Sequence, residues 1–322
     1  MTKKTLILLA FLITSLIINA QNTVIKAGHF FDARNGKMLE NQIIIVQDGK
    51  IKEVGTNLKF NKTDSIIDLS NSWVLPGLMD CHVHITANFP YRNLQMQQTE
   101  TTESTSFRAI RGTVVAKQFL DNGFTTIKEI GNDANYATAD IIKAINNGWI
   151  QGPTIIYAGK IIAPYGGQSS GINPEHEHFW NLEYIDADTP DEVKKAIRKN
   201  IYNGATTIKM VTGDNGIYNA EDIKAAVDEA EKYNIKVTVH ASGGLAATNV
   251  ILGGAAGIEH GFTLNNEQLQ LMKDKEIFLV GTDFSYDNVY AYGMDSETAT
   301  SFNNMLVDRL KRAYKIGTPM AF

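Results

Sequence analysis

From Trp73 to the end of the chain, short apolar runs alternate with amphipathic stretches, and this alternation limits the fold more than any other feature. The apolar runs fall at residues 74–85, 125–130, 154–158, 206–211, 236–240, 257–260, 277–282 and 319–322. Boundary chemistry marks helices between them. Thr189-Pro190 followed by Asp191 and Glu192 supplies an N-cap, a proline for the first turn and acidic residues that suit the helix dipole. That helix is expected to stop at Asn203-Gly204, and a second, over 220–233, at Asn234. Strands alternating with helices imply parallel pairing through crossover connections. Eight strands in roughly 250 residues fit a (β/α)8 barrel of the TIM type. The alternative, a doubly wound open sheet, wants a glycine-rich phosphate turn after its first strand. Asp80-Cys81-His82-Val83-His84 stands there instead.

Ahead of the barrel, residues 21–72 read as a small β domain. The runs 43–46 and 50–54 flank Gln47-Asp48-Gly49, a strong hairpin signal. Residues 1–20 read as a secretory signal: Lys3 and Lys4, an uncharged apolar run over 5–18, then Asn19 and Ala20. The run is shorter than the roughly 20 apolar residues of a membrane span. The expected mature protein is exported, periplasmic or secreted, and free of the membrane. Net charge is −5, from 30 Lys+Arg and 35 Asp+Glu, which gives no electrostatic reason to expect nucleic acid. The lone cysteine, Cys81, excludes a disulfide framework and a CxxC metal knuckle. Any metal must be held by histidine, carboxylate or something less usual.

Four of the 7 histidines close predicted strands: His82 and His84 the first, His240 the fifth and His260 the sixth. In a β/α barrel that rim is where chemistry is assembled. Strand periodicity points His82 and His84 the same way, roughly 6–7 Å apart, so that both can reach one divalent ion. Asp80 shares their parity and is placed to orient a ligand histidine. Lys209 lies inside the apolar fourth strand, Thr206-Thr207-Ile208-Lys209-Met210-Val211. A buried lysine shifts toward the neutral amine, which can capture carbon dioxide as a carbamate and so bridge two ions. The alternative is a lysine snorkelling at the rim. Lys128, in Gly123-Phe124-Thr125-Thr126-Ile127-Lys128, has nearly the same neighbours, and local sequence does not choose between them. His176 and His178, in a polar loop, read as solvated.

The run Leu75-Pro76-Gly77-Leu78-Met79-Asp80-Cys81-His82-Val83-His84 strongly resembles the first-strand motif of the amidohydrolase superfamily. The Ile-Lys strand, Val237-Thr238-Val239-His240-Ala241 and Gly257-Ile258-Glu259-His260-Gly261 follow in order. That order is similar to the imidazolonepropionase-like and Xaa-Pro dipeptidase branch. The resemblance covers the chain from about residue 22 onward and implies a metal-dependent barrel hydrolase of amide-type C–N bonds, in a dipeptide or a cyclic amide. It implies His82 and His84 on one ion, His240 and His260 on a second, and Lys209 as a carboxylated bridge. Zinc is the first expectation, since imidazole-rich sites suit it. The strand domain would form half of a β-sandwich.

Departures from the family pattern also carry expectations. Where relatives often have a Gly-Gly-His turn, the chain reads Tyr165-Gly166-Gly167-Gln168, and Ser242 stands where Tyr or His is common. Tyr165, Gln168 and Tyr218 are expected to face the substrate. Superfamily members close the eighth strand with an aspartate, whereas Gly317-Thr318-Pro319-Met320-Ala321-Phe322 ends before one. Asp283, in Gly281-Thr282-Asp283, has the expected wording but lies on the apparent seventh strand. The barrel, over 73–322, is thus expected to lack the end of strand eight and the last helix. Open edges there would let copies of the chain associate. A catalytically inactive, exported metal-binding remnant is the rival to the enzyme.

Overall fold

The structure is a computed structural model that describes residues 22–88, 101–167, 173–212, 217–291 and 293–322. The expected signal, 1–20, lies outside the described residues. Among the described residues no helix is long and apolar enough to cross a membrane. The chain divides into two compact units between Gly77 and Leu78.

The first unit is a four-stranded sheet of β1 (Thr23–Asp32), β2 (Lys37–Gln47), β3 (Lys50–Gly55) and β4 (Ser65–Val74), in the order β3-β2-β1-β4. The expected hairpin joins β2 to β3 with Gln47 opposite Lys50. Asp48 and Gly49 carry it at φ 51° and 73°, the left-handed pair that a tight two-residue turn needs. β4 pairs in parallel with β1.

The second unit begins with β5 (Leu78–Val83), α1 (Thr105–Asp121), β6 (Phe124–Glu129), α2 (Ala137–Asn146), β7 (Thr154–Tyr157) and β8 (Ile161–Ala163). Next come α3 (Glu177–Glu183), β9 (Tyr184–Asp186), α4 (Pro190–Tyr202), β10 (Ile208–Val211), α5 (Ala220–Glu231) and β11 (Val237–Ala241). The unit ends with α6 (Gly244–Leu252), β12 (Gly257–His260), α7 (Asn266–Asp274), β13 (Phe278–Val280), α8 (Tyr286–Ala291), α9 (Ser296–Ile316) and β14 (Met320–Ala321). Capping follows the sequence. Thr189 Oγ1 accepts from Glu192 N while Glu192 Oε2 accepts from Thr189 N, and Asn219 and Asp222 do the same for α5.

The strands pair in parallel as β14-β13-β12-β11-β10-β8-β9 and as β5-β6-β7. Backbone hydrogen bonds join the two sheets at both ends. Thr206 and Thr207 donate to Tyr157 O at 2.7 and 3.1 Å, and Cys81 donates to Phe322 O at 3.0 Å. The ring therefore closes as a barrel, with the last strand against the first. One predicted strand is cut where it was expected to be continuous, and the observed strand β8 lies outside the predicted runs. The run 74–85 breaks at Leu75-Pro76-Gly77, where proline has no N–H to give a ladder. The third predicted run, 154–158, is β7, paired with β6, and the unpredicted β8 follows it and pairs with β10. Ile162, Ile197, Ile208, Met210, Val239, Ile258 and Leu279 fill the main core.

Candidate metal centre

The barrel brings the four strand-end histidines together. His82 and His84 come from β5, His240 from β11 and His260 from β12. Ring centroids are 5.2 Å apart for His82–His84, 4.7 Å for His82–His260 and 4.3 Å for His240–His260. Three of the rings have Nδ1 engaged: His82 with Glu259 Oε2 at 2.7 Å, His84 with Gly131 O at 2.8 Å and His260 with Thr282 Oγ1 at 2.7 Å. Gly131 O can only accept, so His84 carries its proton on Nδ1. Metal binding by these rings would go through Nε2, the usual division of labour in a ligand histidine.

Burial keeps the rings neutral. It pulls His82 down to about 4, with the Lys209 charge adding to the effect. Burial with the neighbouring His82 takes His84 to about 3, and burial with Lys209 takes His240 to about 3. His260 is lowered further by burial and the same lysine. Neutral imidazole is the ligating form.

Lys209 is 2% exposed, and among the described residues its Nζ makes no hydrogen bond or ion pair. Burial lowers its ammonium to about 8. Lys128, from the matching place on β6, instead meets Glu259 Oε1 at 2.7 Å. Glu259 also accepts from Thr238 Oγ1 at 2.5 Å, so one fully buried carboxylate ties together three strands and the His82 ring. Burial raises its carboxyl, but the His82 hydrogen bond and the Lys128 and Lys209 charges outweigh this and hold it well below the usual range.

Among the described residues no group of three or more His, Cys, Asp or Glu could hold a metal ion. The nitrogen donors gathered at the strand ends are the four imidazoles and Lys209, whose amine falls outside those residue types. The oriented Nδ1 atoms and the neutral rings are the features that suit a divalent cation.

Among the other residues singled out, Asp80 and Tyr218 are placed differently. Asp80 does not orient a ring: its Oδ1 accepts from the His82 backbone N at 3.0 Å, and Glu259 orients the ring instead. The register of β5 against β6 shifts between Asp80 and Val83, which breaks the parity argument. Tyr218 is 1% exposed in the main core, and its hydroxyl donates to Ala187 O, so it packs the barrel rather than facing open space. Tyr165 is exposed, and its backbone N donates to Asp188 Oδ1 at 3.0 Å. Gln168 lies outside the described residues. His176 and His178 are exposed. Asp283 pairs with Arg309 and not with the histidines. Glu259 is the main residue that the sequence reading missed; its adjacency to His260 was its only signal.

The model of the amidohydrolase family matches residues 73–312. The chain belongs to the amidohydrolase family. Among relatives in this family, it is 28% identical over 291 residues to an ochratoxinase of Aspergillus niger, covering 82% of this chain and 59% of the relative. It is 23% identical over 284 residues to an imidazolonepropionase of Clostridium tetani, covering 76% and 64%. A crystal structure of a Xaa-Pro dipeptidase with bound methionine superimposes with a TM-score of 0.81 at 27% identity, over 94% of this chain and 79% of that one. The chain thus spans about three fifths of the length of the ochratoxinase it matches.

Proposed function

We propose that this amidohydrolase is an exported, metal-dependent hydrolase of amide-type C–N bonds, acting on dipeptides or cyclic amides. The observation that carries the reading is the packed set of four neutral histidines beside a buried lysine that forms no ion pair. His82 and His84 would hold one divalent ion, and His240 and His260 a second. Lys209 would bridge them as a carbamate: its neutral amine forms an N–C bond to carbon dioxide and releases a proton. With a lysine pulled down to about 8, the amine is available near neutral pH. Ions held there supply positive charge that polarises a carbonyl and makes a water molecule more acidic.

The chain's own groups prepare the site. Glu259 and Gly131 O hold the Nδ1 protons of His82 and His84, which fixes the ring planes before any ligand arrives. The His82 hydrogen bond, followed by the Lys128 and Lys209 charges, keeps Glu259 ionised for that task. The likeness to a Xaa-Pro dipeptidase supports dipeptides as the first substrates to try, with zinc as the first ion.

A second reading, a metal-binding protein without hydrolase activity, is favoured by Asp283, which pairs with Arg309 rather than joining the histidines. Elemental analysis after reconstitution with zinc and bicarbonate tests both readings. The expected result is close to two ions per chain, with at least one lost in His82→Ala. Absence of bound metal removes both readings. Two ions without hydrolysis of Xaa-Pro dipeptides or cyclic imides selects the second.

A further inference from the structure

The Gly281-Thr282-Asp283 turn supplies no ligand to the proposed site, yet it stands directly behind His260. Thr282 Oγ1 lies 2.7 Å from His260 Nδ1. Both residues sit in the left-handed region, His260 at φ 72° and Thr282 at φ 45°. For a β-branched threonine this is a strained conformation that persists only when its surroundings over-determine it.

Arg309, reaching in from α9, does the determining. Its side chain is fully buried, and its NH2 donates to Gly281 O at 3.2 Å and to Asp283 Oδ1 at 2.5 Å, one on either side of Thr282. A Cβ on Gly281 would lie 2.1 Å from Asp283 Oδ2 and 2.7 Å from Arg309 NH1, so the clamp requires glycine there. Arg309 Nε and NH1, like Asp283 Oδ2, are buried without a partner among the described residues. A buried ion pair that leaves polar atoms unsatisfied does not improve on well-packed apolar residues of similar volume. Stability alone does not account for the pair, whereas holding this turn does.

We propose that Arg309, Asp283 and Thr282 form a brace that fixes the ring of His260, with Nδ1–H donating to Thr282 Oγ1 and Nε2 kept as the ligating nitrogen. The brace rests on the metal-site reading above for the use made of Nε2. Arg309 and Thr282 are positioning residues: neither reaches a ligand, and each acts through His260. Free imidazole prefers its proton on Nε2, so losing the threonine hydroxyl releases the ring to the wrong tautomer. His260 packs against His82 and His240, so the error reaches both neighbours.

The test is ¹⁵N NMR of the imidazole nitrogens in the metal-free 322-residue chain, with His260 assigned through His260→Gln. The wild type should show the Nδ1–H form alone at His260. Thr282→Val and Arg309→Met should shift it toward Nε2–H, Thr282→Ser should restore it, and the His84 signals should stay put throughout. In a cobalt(II) titration, Thr282→Val should weaken binding roughly 10–100-fold. An unchanged His260 tautomer in Thr282→Val, or no recovery in Thr282→Ser, overturns the brace. Should Arg309→Met fail to fold, the two Thr282 variants decide alone. A wild type that binds no cobalt(II) but shows the tautomer shift supports the brace and counts against the metal reading.

Discussion

Lys128 and Lys209 end the same four-residue word, Thr-Thr-Ile-Lys, and meet opposite surroundings. Lys128 forms an ion pair with Glu259, while buried Lys209 makes none and feels Glu259 only through space. Breaking a buried pair leaves an uncompensated charge, at a cost of about 3–5 kcal/mol. Lys128→Met should therefore lower the urea midpoint of the metal-free chain markedly. Lys209→Met removes a desolvated ammonium that forms no ion pair and is drawn to Glu259 only through space, so it should cost far less than Lys128→Met and leave that midpoint nearly unchanged or raise it. Equal losses in the two variants would refute the distinction. Sequence could not separate these lysines, because what separates them is Glu259, distant in the chain. Glu259 was itself hidden by strand arithmetic, since neighbours on a strand face opposite ways. His260 escapes that rule through its left-handed φ of 72°, which lets both residues reach the cluster. The four histidines were legible because each closes a strand, a place that survives errors of parity.

Between α4 and α5, Glu229 accepts from Arg198 Nε and from Lys232 Nζ, each at 2.6 Å. The Arg198 hydrogen bond, followed by that of Lys232, takes its carboxyl down to about 2. A depressed carboxylate adds stability that is complete above the ordinary value near 4.5 and fades as the pH falls toward 2. Glu229→Gln should accordingly unfold at a lower temperature than the wild type at pH 6, and the two melts should converge by about pH 2–3. A constant gap across that range would show that the contact is not electrostatic. Helix ends were readable because capping is local chemistry, as the Thr189 and Asn219 boxes show. The break between β7 and β8 was not. Gly159 turns there at φ 73°, and a Cβ on it would come within 2.9 Å of Asn200 Oδ1 on α4, a constraint set by packing.

Across the whole barrel, closure rests on unequal seams. Neighbouring strands from β10 to β13 share ladders, whereas β5 meets the end of the chain through the single bond from Cys81 N to Phe322 O among the described residues. The eightfold pattern of apolar runs announced a barrel, but a seam carried by one bond leaves no mark on periodicity. Ala321 pairs with Val280 on β13, so Ala321→Pro removes an N–H from the closing strand. It should hasten modification of Cys81 by a thiol reagent several-fold without denaturant. Equal labelling rates would mean that the seam stays shut regardless. The half-buried thiol, the one cysteine in the chain, therefore works as a clock for barrel breathing. His82 is the next residue along, so each tick would also record a moment when the histidine cluster has lost its footing.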